Sequence, residues 1–252
     1  MMLGNCTVHF KFMSNNKVDT KVVQAAAEVV RYLWPYRKCR NHSFTAEFFF
    51  CNTPKFLPQK GIVLEDNHVN TGYSVPCESL VVFRKQEWFK VFIHECFHYL
   101  GLDNKVAVDV RFDMFTIPIV VSLREVYCEV WARLLQCYFL GGLSKERVHS
   151  VRNMVRVLRH MNLTYADLWG SKGQSYSEKT NVFAYVVLTA ILMHDYSRFV
   201  QAFNKLEGNI DVLITLVQEQ FKAPSFLRRV AKAENEPSDR GPFRMSVIEL
   251  KF

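Results

Sequence analysis

The chain has 252 residues, of which 49% are hydrophobic and 14% aromatic, so it can form a packed core and is not intrinsically disordered. Lysine and arginine outnumber aspartate and glutamate by 32 to 24, which gives a formal net charge of +8. This excess favours acidic partners, such as nucleic acid, acidic protein segments or anionic membranes, without choosing among them.

The first residues, MMLGNCTVHFKF, have no basic segment followed by a long apolar run, so we expect no secretory signal. The longest apolar run, residues 182–193, is too short to span a bilayer. Seven cysteines without a CxxC pair favour a reducing compartment over a disulfide framework. The sequence therefore predicts a soluble, intracellular protein that does not span a membrane.

The first hundred residues predict short strands and two helices. Apolar residues at helical spacing follow the first strand and end at Pro35. A second, more apolar helix is predicted over residues 86–100, with Gly101 as its C-cap. The β-branched and aromatic composition places the strand candidates at residues 6–13, 43–51, 68–75 and 79–83.

The rest of the chain predicts mostly helices. A long apolar helix is expected from about Pro118 to Phe139, ending before the glycine pair at 141–142. Further helices are predicted over residues 144–161, 178–194, 195–206, 209–222 and 224–232. Residues 233–242 read as a polar connector, and the alternating residues 243–252 as a strand that returns to the amino-terminal sheet.

These elements predict an α+β fold in one catalytic unit. Its first lobe, residues 1–104, would contain a small mixed sheet and end with the apolar helix. Residues 105–232 would form a mainly helical second lobe, and residues 233–252 the connector and the last strand.

The stretch HECFH, residues 94–98, carries the strongest chemical signal. Its i,i+4 spacing places His94 and His98 on one helix face, where both can reach one cation at about 2.0–2.1 Å. Glu95 is placed to take the proton of an attacking water and to pass it to a leaving amine. The alternative is a core helix whose histidines are satisfied by neighbouring polar groups.

The motif resembles the active-site helix of the zincin metallopeptidases, which implies a zinc ion, a peptide substrate and a third protein ligand. In the metzincin pattern HExxHxxGxxH the chain matches through Gly101, but Asn104 stands at the final ligand position. Asp103 is one residue out of register, and we find no convincing Met-turn. The metzincin variant is therefore the weaker match.

In gluzincins the third ligand is a glutamate on a later helix, and residues 122–137 resemble such a helix. Glu125 and Glu129 lie at i and i+4 in mostly apolar surroundings, where unpaired carboxylates are costly. We assign Glu125 as third ligand and Glu129 as the acceptor of a histidine N–H. The reverse assignment stays open, because Ser122-x-x-Glu125 is also a capping-box pattern.

Zincins commonly use a tyrosine or histidine to stabilise the developing oxyanion. Tyr185 is our candidate for this catalytic role, and His194 and Tyr196 are alternatives in the same helical region. Residues 68–75 or 79–83 would supply the strand that pairs with an extended peptide.

Three stretches also resemble HExxH proteins encoded by large DNA viruses: NTGYS, FRKQEWFKVFIHECFHYLGLD and EVYCEVWARL. This resemblance implies a viral protein that is cytoplasmic or associated with the virion, and it implies nothing about the substrate.

One further feature is a row of arginines, Arg152, Arg156 and Arg159, on one face of the predicted helix 144–161. It could bind phosphates or an acidic substrate tail. A solvated face of an amphipathic helix is the favoured interpretation.

Taken together, the residues predict a zinc metallopeptidase that acts on a protein or peptide, with an acidic substrate favoured by the net charge. One alternative is a structural or interaction protein, such as a virion component, that keeps the fold without catalysis. Another is a nucleic-acid-binding protein, although no base-reading motif supports specific binding.

Overall fold

A computed structural model describes residues 1–4, 6–14, 17–40 and 43–250. The strands are β1 (Met2–Leu3), β2 (Cys6–Met13), β3 (Ser43–Cys51), β4 (Gly72–Val75), β5 (Ser79–Arg84), β6 (Asp109–Val110) and β7 (Val121–Ser122). The α-helices are α1 (Thr20–Leu33), α2 (Asp66–Val69), α3 (Trp88–Tyr99), α4 (Leu123–Leu140), α5 (Leu143–His160), α6 (Thr189–His194), α7 (Tyr196–Ala202), α8 (Ile210–Gln220) and α9 (Pro224–Glu234). Short 3-10 helices span Trp34–Tyr36, Asn104–Val106, Ala166–Trp169 and Ser171–Ser175, and a π-helix spans Phe183–Leu188.

The main sheet has five strands in the order β1-β2-β3-β5-β4. The three central strands run parallel, and each edge strand is antiparallel to its neighbour, so the sheet is mixed as predicted. The predicted strands at 6–13 and 43–51 are confirmed at both ends. The candidate at 68–75 was too long, because residues 66–69 form α2 and only Gly72–Val75 pair with the sheet.

Helix α3 lies against β4, β5 and α4, and every one of its residues is buried. It ends as predicted at Gly101, which has a φ of +67° and donates its N–H to the His98 carbonyl. A left-handed φ is a conformation that glycine adopts without steric cost, so this residue stops the helix one turn after the HExxH motif.

Edge strand β4 approaches α3 unusually closely at Gly72. A Cβ atom there would lie 2.8 Å from Val91 Cγ1 and 3.2 Å from Glu95 Cγ, closer than packed carbon atoms allow. The missing side chain therefore sets the sheet edge directly beside Glu95.

The helical second half is confirmed, with shifted starts. The predicted helix from Pro118 begins only at Leu123, because the β-branched residues before it form β7, which pairs with β6. The predicted helix 178–194 begins with the π-helix at Phe183. One hydrophobic core runs through both halves of the chain.

The predicted carboxy-terminal strand is wrong. No strand forms among the described residues 235–250, and Lys251 and Phe252 lie outside the described part of the chain. The backbone N–H groups of Ser246 and Val247 donate to Glu87 and Glu146 instead of to a sheet edge. Side-chain carboxylates thus take the place of the strand partner that the alternating pattern implied.

The arginine row on α5 holds this segment in place. Arg152 pairs with Glu236, Arg156 donates to the carbonyls of residues 241 and 242, and Arg159 donates to the Glu234 carbonyl. The expectation of a solvated face is therefore met by Arg152, which is 56% exposed, and is wrong for Arg156 and Arg159, which lie partly buried against the connector.

Cys39 and Cys77 form a disulfide, which the cysteine pattern did not predict, since it favoured a reducing compartment over a disulfide framework. The bond joins the segment after α1 to the turn between β4 and β5, 38 residues further along. The other five cysteines are free.

In the described part of the chain no helix has both the length and the apolar character needed to cross a membrane.

Candidate metal centre

Three side-chain atoms converge between α3 and α4. His94 Nε2 lies 3.0 Å from His98 Nε2, and Glu125 Oε2 lies 3.2 Å from the first and 3.4 Å from the second. Both histidines are buried, and the Glu125 side chain is 15% exposed. The i,i+4 spacing on α3 and the first turn of α4 bring these atoms together.

The opposite ring nitrogens fix the tautomers. His94 Nδ1 lies 3.1 Å from a Glu129 oxygen, and His98 Nδ1 lies 2.5 Å from Asp103 Oδ2. An ionised carboxylate only accepts hydrogen bonds, so each Nδ1 carries the proton. In the neutral imidazoles both Nε2 lone pairs then face the Glu125 oxygen. The two nitrogens and this oxygen are three hydrogen-bond acceptors that lie within 3.4 Å of one another.

This arrangement fits a cation. Four tetrahedral ligands at about 2.0–2.1 Å from zinc are separated by about 3.3 Å from one another. The three observed separations, 3.0, 3.2 and 3.4 Å, match the edges of such a tetrahedron. Two histidines and one carboxylate are also a ligand set that catalytic zinc sites use.

A second group of possible ligands, His98, Asp103 and Cys128, fits a metal poorly. The Arg124 guanidinium lies 2.7 Å from Asp103 Oδ2, so a cation already occupies this side of the carboxylate. Burial raises the pKa of the Cys128 thiol to about 12, so without a metal the thiol is neutral. Asp103 is therefore an orienting group for His98, and the metzincin-type role for it has no support in the geometry.

On the His94 side, Glu129 belongs to a buried charge network. Lys90 Nζ lies 2.8 and 3.0 Å from its two oxygens, and Arg133 Nε lies 2.9 Å from Oε1. Arg133 is in turn 3.5 Å from Glu146. All four side chains are almost completely buried, so the acceptor of the His94 proton has little freedom to move.

The pKa directions follow from these contacts. Burial lowers the pKa of His94, but hydrogen bonds to Glu125 and Glu129 outweigh it and leave the pKa raised. Burial also lowers the pKa of His98, and the Asp103 hydrogen bond contributes to a net rise well above its usual value. Burial raises the pKa of Glu125, yet its bonds to both imidazoles bring it well below the usual range. A cation bound here would therefore displace protons from the imidazoles.

Glu95 faces the same cleft from the other side of α3. The Ser74 hydroxyl on β4 donates to Glu95 Oε2 at 2.8 Å, and the carboxylate is buried. A cleft of about 280 Å³ opens here, and its lining includes His94, Glu95, His98, Glu125 and Tyr185. The Glu95 carboxylate and the three converging atoms thus face one cavity.

Tyr185, the predicted oxyanion donor, reaches this cleft from the π-helix. Its hydroxyl donates to Glu125 Oε2 at 3.0 Å. Burial, together with the nearby Glu125 and Glu95 charges, raises its pKa well above the usual value, so it stays protonated. The structure does not bring the two alternatives here: His194 bonds Ser225, and Tyr196 lies under Arg147.

The predicted ligand helix carries both glutamates in the cleft region. Ser122 precedes α4, but its side chain makes no capping hydrogen bond, so Glu125 is free to face the imidazoles. Glu129 contacts the Nδ1 side of His94, away from the other two converging atoms. Glu125 as ligand and Glu129 as acceptor remain predictions that this geometry supports.

Sequence reasoning missed four residues that position the site: Ser74, Lys90, Asp103 as an orienting acid, and Arg133. Lys90 had a usable signal, since it stands one turn before His94 in an apolar helix and needs a buried acid as partner. Ser74 had no such signal, because only the approach of β4 to α3 places it beside Glu95.

No protein-family model matches the chain, and a search of curated proteins also found no match. The function is therefore argued from the site alone.

Proposed function

We propose that the protein is a zinc-dependent metallopeptidase with a gluzincin-like ligand set of His94, His98 and Glu125. The observation that carries this proposal is the convergence of three electron-pair donors within 3.4 Å of one another. Both imidazoles are held from behind by carboxylates, which is the usual support of zinc ligands. The HExxH helix beneath a mixed sheet, with β4 at the edge beside Glu95, supports a zincin-like fold.

When bound, zinc would act as a Lewis acid that polarises the scissile carbonyl and brings the pKa of a water towards neutrality. Glu95 would take the proton from the attacking water and deliver it to the leaving amine. Ser74 holds one Glu95 oxygen, so the other is left to face the cleft. The Tyr185 hydroxyl would donate a hydrogen bond to the developing oxyanion.

The substrate would be a peptide bond in an extended segment. β4 has β5 on one side only, so its other edge can pair with an added strand. An intracellular, cytoplasmic or virion-associated location stays a prediction. The Cys39–Cys77 disulfide argues against a permanently reducing environment.

The test is zinc content by elemental analysis of three preparations: wild type, Glu95→Gln and Glu125→Ala. We expect one zinc per chain in the first two and a loss of zinc in the third, because Glu125 is the carboxylate that, among the described residues, lies within 3.4 Å of both Nε2 atoms. Circular dichroism checks that each variant is folded. Zinc that persists in folded Glu125→Ala would reject Glu125 as ligand.

Peptide hydrolysis is measured next, by mass spectrometry of a peptide library. Wild type should cleave, and cleavage should stop with a chelator and in Glu95→Gln, which retains zinc. Folded protein without metal would overturn the peptidase proposal and leave an interaction protein with two core histidines.

A further inference from the structure

A second cleft lies behind the metal centre, between residues 56–60 and residues 238–241, above α5. Its volume is about 830 Å³. Among the described residues that line it, four are lysine or arginine and one, Asp239, is acidic. The cations are Lys60, Arg156, Arg159 and Arg240, and together with Phe56 they define what we call the basic cleft.

Two of these cations are held mainly by backbone carbonyls, and one of the two also forms a partly exposed ion pair. Arg156 donates to the carbonyls of residues 241 and 242, and Arg159 donates to the Glu234 carbonyl. A carbonyl orients a guanidinium group but carries no net charge to cancel it. The nearest acid to Arg156, Asp239, lies 3.5 Å away and is 74% exposed. With four cations and one carboxylate in its lining, the cleft therefore keeps a surplus of positive charge.

The opposite wall is apolar. Phe56 is 53% exposed, and Leu57, Pro58 and Leu163 line the cleft beside it. A large exposed aromatic next to fixed cations suits a ligand that has both acidic and apolar groups. Phe56 offers one stacking surface and not the row of aromatics on which successive bases stack, so a peptide fits better than single-stranded nucleic acid.

The basic cleft and the metal centre share a wall. Lys55 lines the cleft at His94 and Glu95, and the next residue, Phe56, lines the basic cleft. The Cα atoms of Lys55 and Phe56 are about 3.8 Å apart, as in any two consecutive residues. The segment that contains them therefore borders both the basic cleft and the cleft of the metal centre. In the carboxy-terminal segment, Met245 lines the cleft of the metal centre and Gly241 lines the basic cleft.

We propose that the basic cleft binds an acidic segment of the protein substrate, one in which glutamate or aspartate alternates with apolar residues. The inference rests on the proposed peptidase function, since it supplies the substrate class for that site. The bound segment would be a part of the substrate distant from the scissile bond. The positive charge of the cleft would favour proteins with such a segment as substrates.

The experiment measures binding without cleavage, in full-length Glu95→Gln protein. The probe is a fluorescein-labelled peptide of alternating glutamate and leucine, followed by fluorescence anisotropy, with a glutamine–leucine peptide as comparison. Lys60→Ala with Arg240→Ala is introduced as a pair, because both side chains are exposed and substitution should not disturb the core. Lys21→Ala with Lys205→Ala is the matched control, since both residues are exposed, lie outside the cleft and remove the same charge.

We expect the cleft pair to weaken binding of the acidic peptide by about tenfold, and the control pair by less than about twofold. The glutamine peptide should bind weakly to all three proteins. Equal losses in both pairs would show an unspecific charge effect and overturn the proposal. So would tighter, cleft-dependent binding of a single-stranded oligonucleotide of similar length, which would assign the cleft to nucleic acid.

The outcome is separable from that of the peptidase proposal. Cleft-dependent binding in a protein that proves to cleave no peptide would contradict the proposed function and leave an acidic-peptide binding site. Zinc-dependent cleavage without cleft-dependent binding would contradict the inference and leave the function intact.

Discussion

The two histidines of the HExxH motif sit one turn apart and are supported in different ways. His94 donates its Nδ1 proton to Glu129, which is buried with Lys90 and Arg133. His98 donates to Asp103, whose partner Arg124 is 33% exposed. Each histidine thus donates its Nδ1 proton to a carboxylate. The carboxylate at His94 belongs to a buried ionic network, and the one at His98 belongs to an ion pair that is partly exposed.

The difference between the two carboxylates indicates which histidine is held more rigidly. A buried carboxylate between two buried cations can move only if several charges are left unpaired, which is costly. An ion pair that reaches solvent is screened and can be replaced by water. We therefore expect the His94 side to govern the stability of the fold, and the His98 side to tune metal affinity with smaller effects on folding.

Glu129→Gln tests the buried side and should have the largest effect. The substitution takes the paired carboxylate from buried Lys90 and leaves Arg133 with Glu146 alone, 3.5 Å away, so the free energy of unfolding should fall by about 3–5 kcal/mol. Urea denaturation measures this change. Glu47→Gln is the control, because it breaks the exposed Lys11–Glu47 pair and should cost at most about 1 kcal/mol. Equal losses in the two variants would contradict the comparison.

Asp103→Asn tests the other side. The amide can still accept the His98 proton but without a charge, so zinc affinity should fall by about 10–100-fold while the protein remains folded. Competition with a chromophoric chelator measures the affinity. An unfolded protein, or unchanged zinc affinity, would show that Asp103 is a structural residue and not an orienting one.

Glu178 lies near the π-helix that carries Tyr185, where its carboxyl group accepts the N–H of Phe183, the first residue of that helix. Burial raises the pKa of Glu178 to about 7, despite hydrogen bonds from the Tyr176 hydroxyl and the Phe183 N–H, which lower it. The folded protein then keeps a proton that the unfolded chain loses, so stability should fall as pH rises from about 4.5 to about 7.

Glu178→Gln should remove this dependence. Over that pH range, the difference in unfolding free energy between wild type and the variant should change by about 3 kcal/mol. Chemical denaturation at several pH values, with zinc held constant, measures the difference. Parallel curves for the two proteins would mean that Glu178 has an ordinary pKa.

Arg124→Gln should have the smallest effect. Its pair with Asp103 is partly exposed, so the loss in unfolding free energy should stay below about 1 kcal/mol. Zinc affinity should change less than in Asp103→Asn, because the carboxylate itself remains. A loss as large as that of Glu129→Gln would erase the distinction between the two sides.

The sequence was sufficient to predict the elements that are determined by their own residues and not by contacts with distant parts of the chain. Strands β2 and β3 were predicted to the residue, since aromatic and β-branched residues mark their whole length. The i,i+4 spacing predicted His94 and His98 on one helix face with Glu95 beside them, and the structure places all three in one cleft.

What the sequence missed depends on distant parts of the chain. Residues 243–250 alternate like a strand, but buried carboxylates on other elements bind their N–H groups. Cys39 and Cys77 are brought together only by the packing of the β4–β5 turn against the end of α3. Asp103 was considered as a ligand, and its orienting role became visible only from the direction in which the His98 ring turns.

The carboxy-terminal segment also bears on the order of events during synthesis. Glu87, just before the HExxH helix, receives the N–H of Ser246, which follows it by 159 residues. At about 5–20 residues per second, a ribosome needs roughly 8–32 s to add them. During that interval the Glu87 carboxylate has Lys55 as a partner but lacks the Ser246 donor. The HExxH helix would therefore reach its final packing late, after the helical half of the chain has been made.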